Sequence, residues 1–108
     1  MRIVVKFGGT SIQDTERMEK AAHSVIKKIK DGNEMLIVVS AMGKTTDNLI
    51  SLLEETTKSS YDKSEYNEFI SFGERMSARL MFSALKSRGI KSVVFDPVKE
   101  DFPLITDS

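Results

Sequence analysis

Residues 1–14, MRIVVKFGGTSIQD, decide the fold. Residues 2–7 (RIVVKF) form an almost continuous apolar run of strand length, which predicts a strand buried on both faces. Gly8, Gly9, Thr10 and Ser11 follow at once, and from Asp14 a helical pattern begins. A strand that turns through glycines straight into a helix is the first half of a βα unit. The turn is either an ordinary tight connection or a place where backbone comes close to an anion. Glycines permit that approach, and a following helix start offers free N–H groups and a positive dipole end. Lys6 adds an ammonium at the end of the strand. The spacing alone leaves both readings open.

The rest of the chain continues the alternation. The first helix is expected from about Asp14 to Asp31. Met18, Ala22, Val25 and Ile29 form one stripe, Asp14 or Thr15 caps the start, and Gly32 stands where a terminating glycine belongs. His23 falls off the stripe and reads as exposed. Residues 34–40 (EMLIVVS) predict a second buried strand. A polar loop, AMGKTT, leads to a helix over about Asp47–Thr57 with Leu49, Leu52 and Leu53 inward. KSSYDKS at 58–64 reads as a surface loop. A long helical region follows over Glu65–Arg88, broken near Gly73, with Met76, Leu80, Ala84 and Leu85 on its apolar face. KSVVF at 91–95 predicts a third strand. Such alternation implies a mainly parallel sheet covered by helices, an α/β fold whose ligands sit beyond the C-terminal ends of the strands.

Composition narrows the function classes. The 108 residues carry 16 Lys+Arg against 16 Asp+Glu, so no net basic field draws in nucleic acid or an acidic membrane. Lys27, Lys28 and Lys30 crowd a predicted helix C-terminus, where the dipole favours cations. There is no cysteine and one histidine, which removes disulfides, thiolate chemistry and multi-histidine metal clusters. No apolar run reaches membrane-spanning length, and the N-terminus lacks a secretory h-region. A cytoplasmic location is the natural expectation.

Two further stretches could carry chemistry. The GKTT of SAMGKTTD resembles the end of a phosphate-binding P-loop, but that motif needs glycine five places before Gly43, and Val38 stands there. What remains is Ser40, Thr45, Thr46 and Asp47 at a helix start, residues suited to capping and also to holding a small polar ligand. In SFGERMS (71–77), Glu74 follows Gly73. It is either a plain first-turn glutamate or a carboxylate directed at a substrate amine.

Taken together and in this order, KFGGTS, VVSAMGKTTDNL and SFGERMSARL resemble the start of an aspartate kinase, a branch of the amino acid kinase superfamily. The resemblance implies the three-layer α/β/α, carbamate kinase-like fold of that superfamily, and ATP with Mg²⁺ as cofactors. It implies that Lys6 contacts the transferring phosphoryl group and that Gly8 and Gly9 cradle the ATP phosphates. Phe7 enters as the strand-end core residue, and Thr10 and Ser11 share the same loop. Ser40 and Ala41 would lie beside the L-aspartate substrate, Thr46 would contact it, and Glu74 would hold its α-ammonium group. The residues themselves supply no metal site. The implied reaction phosphorylates the aspartate side-chain carboxylate to 4-phospho-L-aspartate, at the head of lysine, threonine and methionine synthesis. Partners would be aspartate, ATP and further copies of the chain. The family's kinase domain is longer and is usually followed by ACT domains. The expectation is therefore an N-terminal, amino-acid-binding part, inactive alone. Two alternatives are a non-catalytic amino-acid-binding or self-associating module, and a kinase for another amino acid.

Overall fold

The structure is a computed structural model that describes residues 1–94; the expected Phe95 end of a third strand and the FPLITDS stretch lie outside the described residues. Two strands and three helices alternate as β1 (Arg2–Phe7), α1 (Thr15–Lys30), β2 (Glu34–Val39), α2 (Gly43–Thr57) and α3 (Lys63–Lys86). The strands pair in parallel, from Arg2 opposite Glu34 to Phe7 opposite Val39. The expected α/β class and parallel pairing are borne out.

The strands depart from expectation in their burial. Both alternate, with Ile3, Val5, Phe7, Met35, Ile37 and Val39 half-buried and the residues between them exposed. Helices α1 and α3 contact β2, and Phe7, Met35, Ile37 and Val39 pack on the core between sheet and helices. The other face is open, so Val4 is 69% exposed and Leu36 46%. The apolar composition of a strand reports that it can be buried twice, but a second cover must come from another element. Residues 91–94 form no strand, and Val93 is 76% exposed. Strand propensity is realised only where a neighbouring ladder exists.

Helix α1 forms as the sequence predicts. Asp14 is its N-cap, its Oδ1 accepting from the Arg17 amide at 2.8 Å. Met18, Ala22 and Val25 are buried, and His23 is exposed. The chain leaves the helix through Gly32 at φ +93°, a conformation that costs glycine nothing. Arg88, just past α3, reaches back to α1, donating from Nη2 to Glu19 Oε2 at 3.1 Å.

The other helices correct several expectations. Helix α2 starts at Gly43, so GKTT is its first turn and not a loop; Thr46 and Asp47 do not cap it, because the cap position is Met42, which makes no side-chain cap bond. Leu53 is buried, but Leu52 is 58% exposed. Helix α3 runs unbroken through Gly73. One glycine costs a helix only about 1 kcal/mol relative to alanine, which tertiary contacts override. Its buried face is Gly73, Ser77, Met81 and Leu85, every fourth residue, while Met76 and Leu80 of the expected stripe are exposed.

The core gathers Ile12, Met18, Ala21, Ala22, Val25, Met42, Met81 and Leu85. Ile12 and Met42 come from connections, not from regular elements. Each fastens the segment after a strand into the interior. Replacing Ile12, which is 0% exposed, by alanine is expected to cost about 2–5 kcal/mol in urea unfolding. Leu52→Ala is expected to stay within about 0.5 kcal/mol. Equal losses would contradict this assignment of the core.

Candidate functional site

The parallel pair ends at Phe7 and Val39, so the connections after both strands emerge side by side. A hydrogen bond from the Ser40 amide to the Phe7 carbonyl, 3.0 Å, carries the ladder one step further. Past that point the two backbones touch at one place. A methyl group built on Gly9 would lie 3.0 Å from the Ala41 carbonyl oxygen. Gly9 therefore lets the first connection lie directly against the second.

The third segment arrives at the same residue. A methyl on Gly73 would stand 2.8 Å from Ala41 Cβ, 3.6 Å from Leu49 Cδ1 and 3.8 Å from Thr46 Oγ1. That first distance is shorter than carbon atoms tolerate, so α3 approaches Ala41 this closely only because residue 73 has no side chain. Three stretches far apart in sequence thus converge on Ala41. The glycine that the pattern marked as a helix break is a packing glycine instead. Its signal was present in the sequence as a small residue amid helix formers, but the partner it makes room for was not.

The individual residues divide by exposure. Lys6 extends from the open face of β1, whereas Phe7 points to the core side. Gly8 is exposed, with nothing within 4 Å of the position a side chain would take, and its carbonyl accepts from the Ser11 amide at 3.1 Å. Thr10 and Ser11 are exposed; Ser40, Ala41 and Thr46 are half-buried. Glu74 is exposed one residue beyond the Gly73 contact. Ser40, Ala41, Thr46, Gly9 and Gly73 are brought together by these contacts. Lys6 and Gly8 join them along the chain from Gly9, and Glu74 along the chain from Gly73. Ser77 was not anticipated. It is 1% exposed, and its Oγ has no hydrogen-bond partner among the described residues.

This arrangement can do two things chemically. The Gly8–Ser11 turn offers uncovered backbone beside an ammonium, the donor set that a phosphate chain needs. The Ala41–Thr46 segment and Glu74 offer a hydroxyl, a helix N-terminus and a carboxylate, complementary to an amino acid. Among the described residues no three His, Cys, Asp or Glu side chains converge to hold a metal ion. A shallow open depression at the α2–α3 turn, lined by Thr57, Tyr61 and Asp62 among others, lies at the far end of α2. Thr57 is about 21 Å of helix away from Gly43.

Residues 1–107 match the amino acid kinase family profile. An aspartokinase of Geobacillus stearothermophilus is 42% identical over 91 residues, covering 84% of this chain and 22% of that protein. An aspartate kinase of Pseudomonas putida is 35% identical over 106 residues, covering 98% of this chain and 25% of that protein. The crystal structure of aspartate kinase from Synechocystis superposes with a TM-score of 0.75 at 34% identity, over 86% of this chain and 16% of that one. The chain thus spans about a quarter or less of these relatives' length.

The close approach at Ala41 is directly testable. Gly73→Ala is expected to destabilise by about 1–3 kcal/mol through overpacking, and Ala41→Gly in the same chain is expected to recover part of that loss. Ser77→Ala is expected to be neutral or stabilising, because it removes a buried hydroxyl that gains no hydrogen bond. Thermal unfolding of the three variants and the wild type checks both statements; a Gly73→Ala chain as stable as wild type removes the contact as a constraint.

Proposed function

This chain belongs to the amino acid kinase family, and from that premise we propose that it is the amino-acid-binding part of an aspartate kinase. The observation that carries the reading is the convergence on Ala41 of three segments, the Gly8–Ser11 turn, the start of α2 and the Gly73–Glu74 step of α3. Their meeting point lies beyond the C-terminal ends of two parallel strands, where open α/β sheets bind ligands.

In the proposed reaction a side-chain carboxylate oxygen of L-aspartate attacks the γ-phosphorus of ATP. The bond from that phosphorus to the bridging oxygen breaks, its electron pair leaves on ADP, and 4-phospho-L-aspartate forms. The nucleophile is already an anion at neutral pH, so no general base is required. The protein's task is to position two anions and to offset their charge. Lys6 would meet the transferring group. The Gly8 and Gly9 amides, with Thr10 and Ser11 beside them, would hold the phosphates. Phe7 fixes the strand end from the core side. Ser40, Ala41 and Thr46 would line the aspartate, and Glu74 would take its α-ammonium group. Mg²⁺ would come with the nucleotide and neutralise phosphate charge when bound.

The rest of the reading follows from the family. The product would feed lysine, threonine and methionine synthesis in the cytoplasm. No helix among the described residues is long and apolar enough to cross a membrane, and the formal net charge of zero gives nucleic acid no purchase. The aspartate side of the site would lie within residues 1–108. The adenine pocket would lie in the greater length of the relatives that this chain does not match.

Isothermal titration calorimetry tests the substrate assignment. Aspartate is expected to bind the chain weakly. Glu74→Ala should weaken binding by about tenfold or more, the loss of one charged hydrogen bond, whereas Glu68→Ala should leave it unchanged. A coupled ADP-release assay on the same chain is expected to show no aspartate-dependent turnover. Equal heats for wild type and Glu74→Ala would remove Glu74 from the site, and turnover near the ~10 s⁻¹ typical of enzymes would refute the division of labour.

A further inference from the structure

We propose that Ala41 and Gly73 fix the length of the amino acid that the site accepts. This rests on the aspartate kinase reading and names the two residues that select aspartate over its longer homologue, glutamate. In that reading the substrate spans the site. Glu74 takes the α-ammonium group at one end, and the side-chain carboxylate meets the phosphoryl group held by the Gly8–Gly9 turn at the other. The separation of the two ends decides how many carbon atoms fit between them.

Ala41 is the spacer. The turn abuts its backbone, a methyl on Gly9 lying 3.0 Å from the carbonyl oxygen, and α3 abuts its side chain, a methyl on Gly73 lying 2.8 Å from Cβ. Leu49 and Thr46 stand 3.6 and 3.8 Å from the same Gly73 position. Those are ordinary contact distances, so residue 41 alone limits how near α3 comes. Ala41 is itself held on both sides along the chain. The Ser40 amide donates to the Phe7 carbonyl at 3.0 Å, and Met42 is buried in the core. The large core side chains of α3 are Met81 and Leu85, and the nearer of them lies about 12 Å of helix beyond Gly73. A change in thickness at the contact is therefore taken up mainly by tilting the Gly73–Glu74 part of α3.

The dimensions match the chemistry. Carbon atoms rest about 3.5–4.0 Å apart, so a methyl on residue 73, starting 2.8 Å from Ala41 Cβ, opens the contact by about 1 Å. Glutamate exceeds aspartate by one carbon–carbon bond, about 1.5 Å. The two lengths are comparable. Side chains occupy discrete staggered wells, so Glu74 does not absorb such a displacement smoothly. A thicker contact suits the longer amino acid, and a thinner one the shorter.

Calorimetric titration of the 108-residue chain with L-aspartate and with L-glutamate tests this, read as the ratio of the two dissociation constants. Wild type is expected to favour aspartate. Gly73→Ala should shift the ratio towards glutamate by about tenfold, the lower end of what one methylene is worth to a site. Gly73→Ala combined with Ala41→Gly moves the methyl group across the contact and keeps its thickness, so the ratio should return to the wild-type value. Ala41→Gly alone introduces no overlap and lets α3 approach. It should shift the ratio further towards aspartate, and it reports even where circular dichroism shows Gly73→Ala too overpacked to fold. Lost stability without changed spacing weakens both amino acids alike, so Val25→Ala, a core truncation in α1, should leave the ratio unchanged. Aspartate binding with a wild-type ratio in folded Gly73→Ala or in Ala41→Gly overturns the spacer role and leaves the aspartate reading standing. A double variant that keeps the Gly73→Ala ratio overturns it as well. A wild type that binds neither amino acid removes the aspartate reading, and the spacer role with it.

Discussion

The constraint on which this structure depends is the close approach of three backbones at Ala41. Gly9 brings the first strand's exit against the Ala41 carbonyl, and Gly73 brings α3 against its Cβ. A side chain at Gly73 would force Ala41 to shift relative to α3, and one at Gly9 would need the Ala41 carbonyl to give by a few tenths of an ångström. Protein interiors are packed densely enough that a misfit of one methyl group propagates, so these two positions set the distance between the segments of the candidate site. The core and the ladder hold that junction in place. Ile12 and Met42 root the connections in the core, and the parallel ladder aligns the ends from which they leave.

The same logic explains a division within α3. The helix is long and amphipathic in an unusual way. One face packs inward through Gly73, Ser77, Met81 and Leu85. A second apolar stripe through Phe72, Met76 and Leu80 remains in solvent. A helix with two apolar faces is either wrapped by more protein or shared with a partner. The open face of the sheet poses a parallel question at Val4, Leu36 and Val38, all exposed. The chain carries more apolar surface than its described elements cover. That is consistent with a chain matching about a fifth of the length of its aspartokinase relatives.

The segments that meet at Ala41 were more legible in sequence than their packing. KFGGTS, SAMGKTTD and SFGERMS stood out because glycines, a lysine and hydroxyl residues are costly or idle in element interiors and so mark connections. The α/β order already placed the first two beyond the ends of neighbouring strands; that the third joins them could be expected only from their resemblance to a family. The sequence pattern misassigned the helix faces for a physical reason. A period of 3.6 finds an apolar stripe but cannot say which of two stripes meets the core, and α3 has two. It also read Gly73 as a break, because glycine is a poor helix former, when the tertiary contact with Ala41 is what keeps glycine there. Ser77 gave no signal at all, since a buried serine and an exposed one look alike in a string of letters.

The sequence by itself determined the alternation of strands and helices, the cap and exit of α1 at Asp14 and Gly32, and the parallel character of the sheet. These depend on local hydrogen bonding and on short-range periodicity, which neighbouring residues encode. Only the tertiary structure decided that GKTT opens α2, that the strands are covered on one face, and that residues 9, 41 and 73 touch. Those outcomes depend on which distant atoms compete for the same space, and steric exclusion between remote segments is written in no single stretch of the chain.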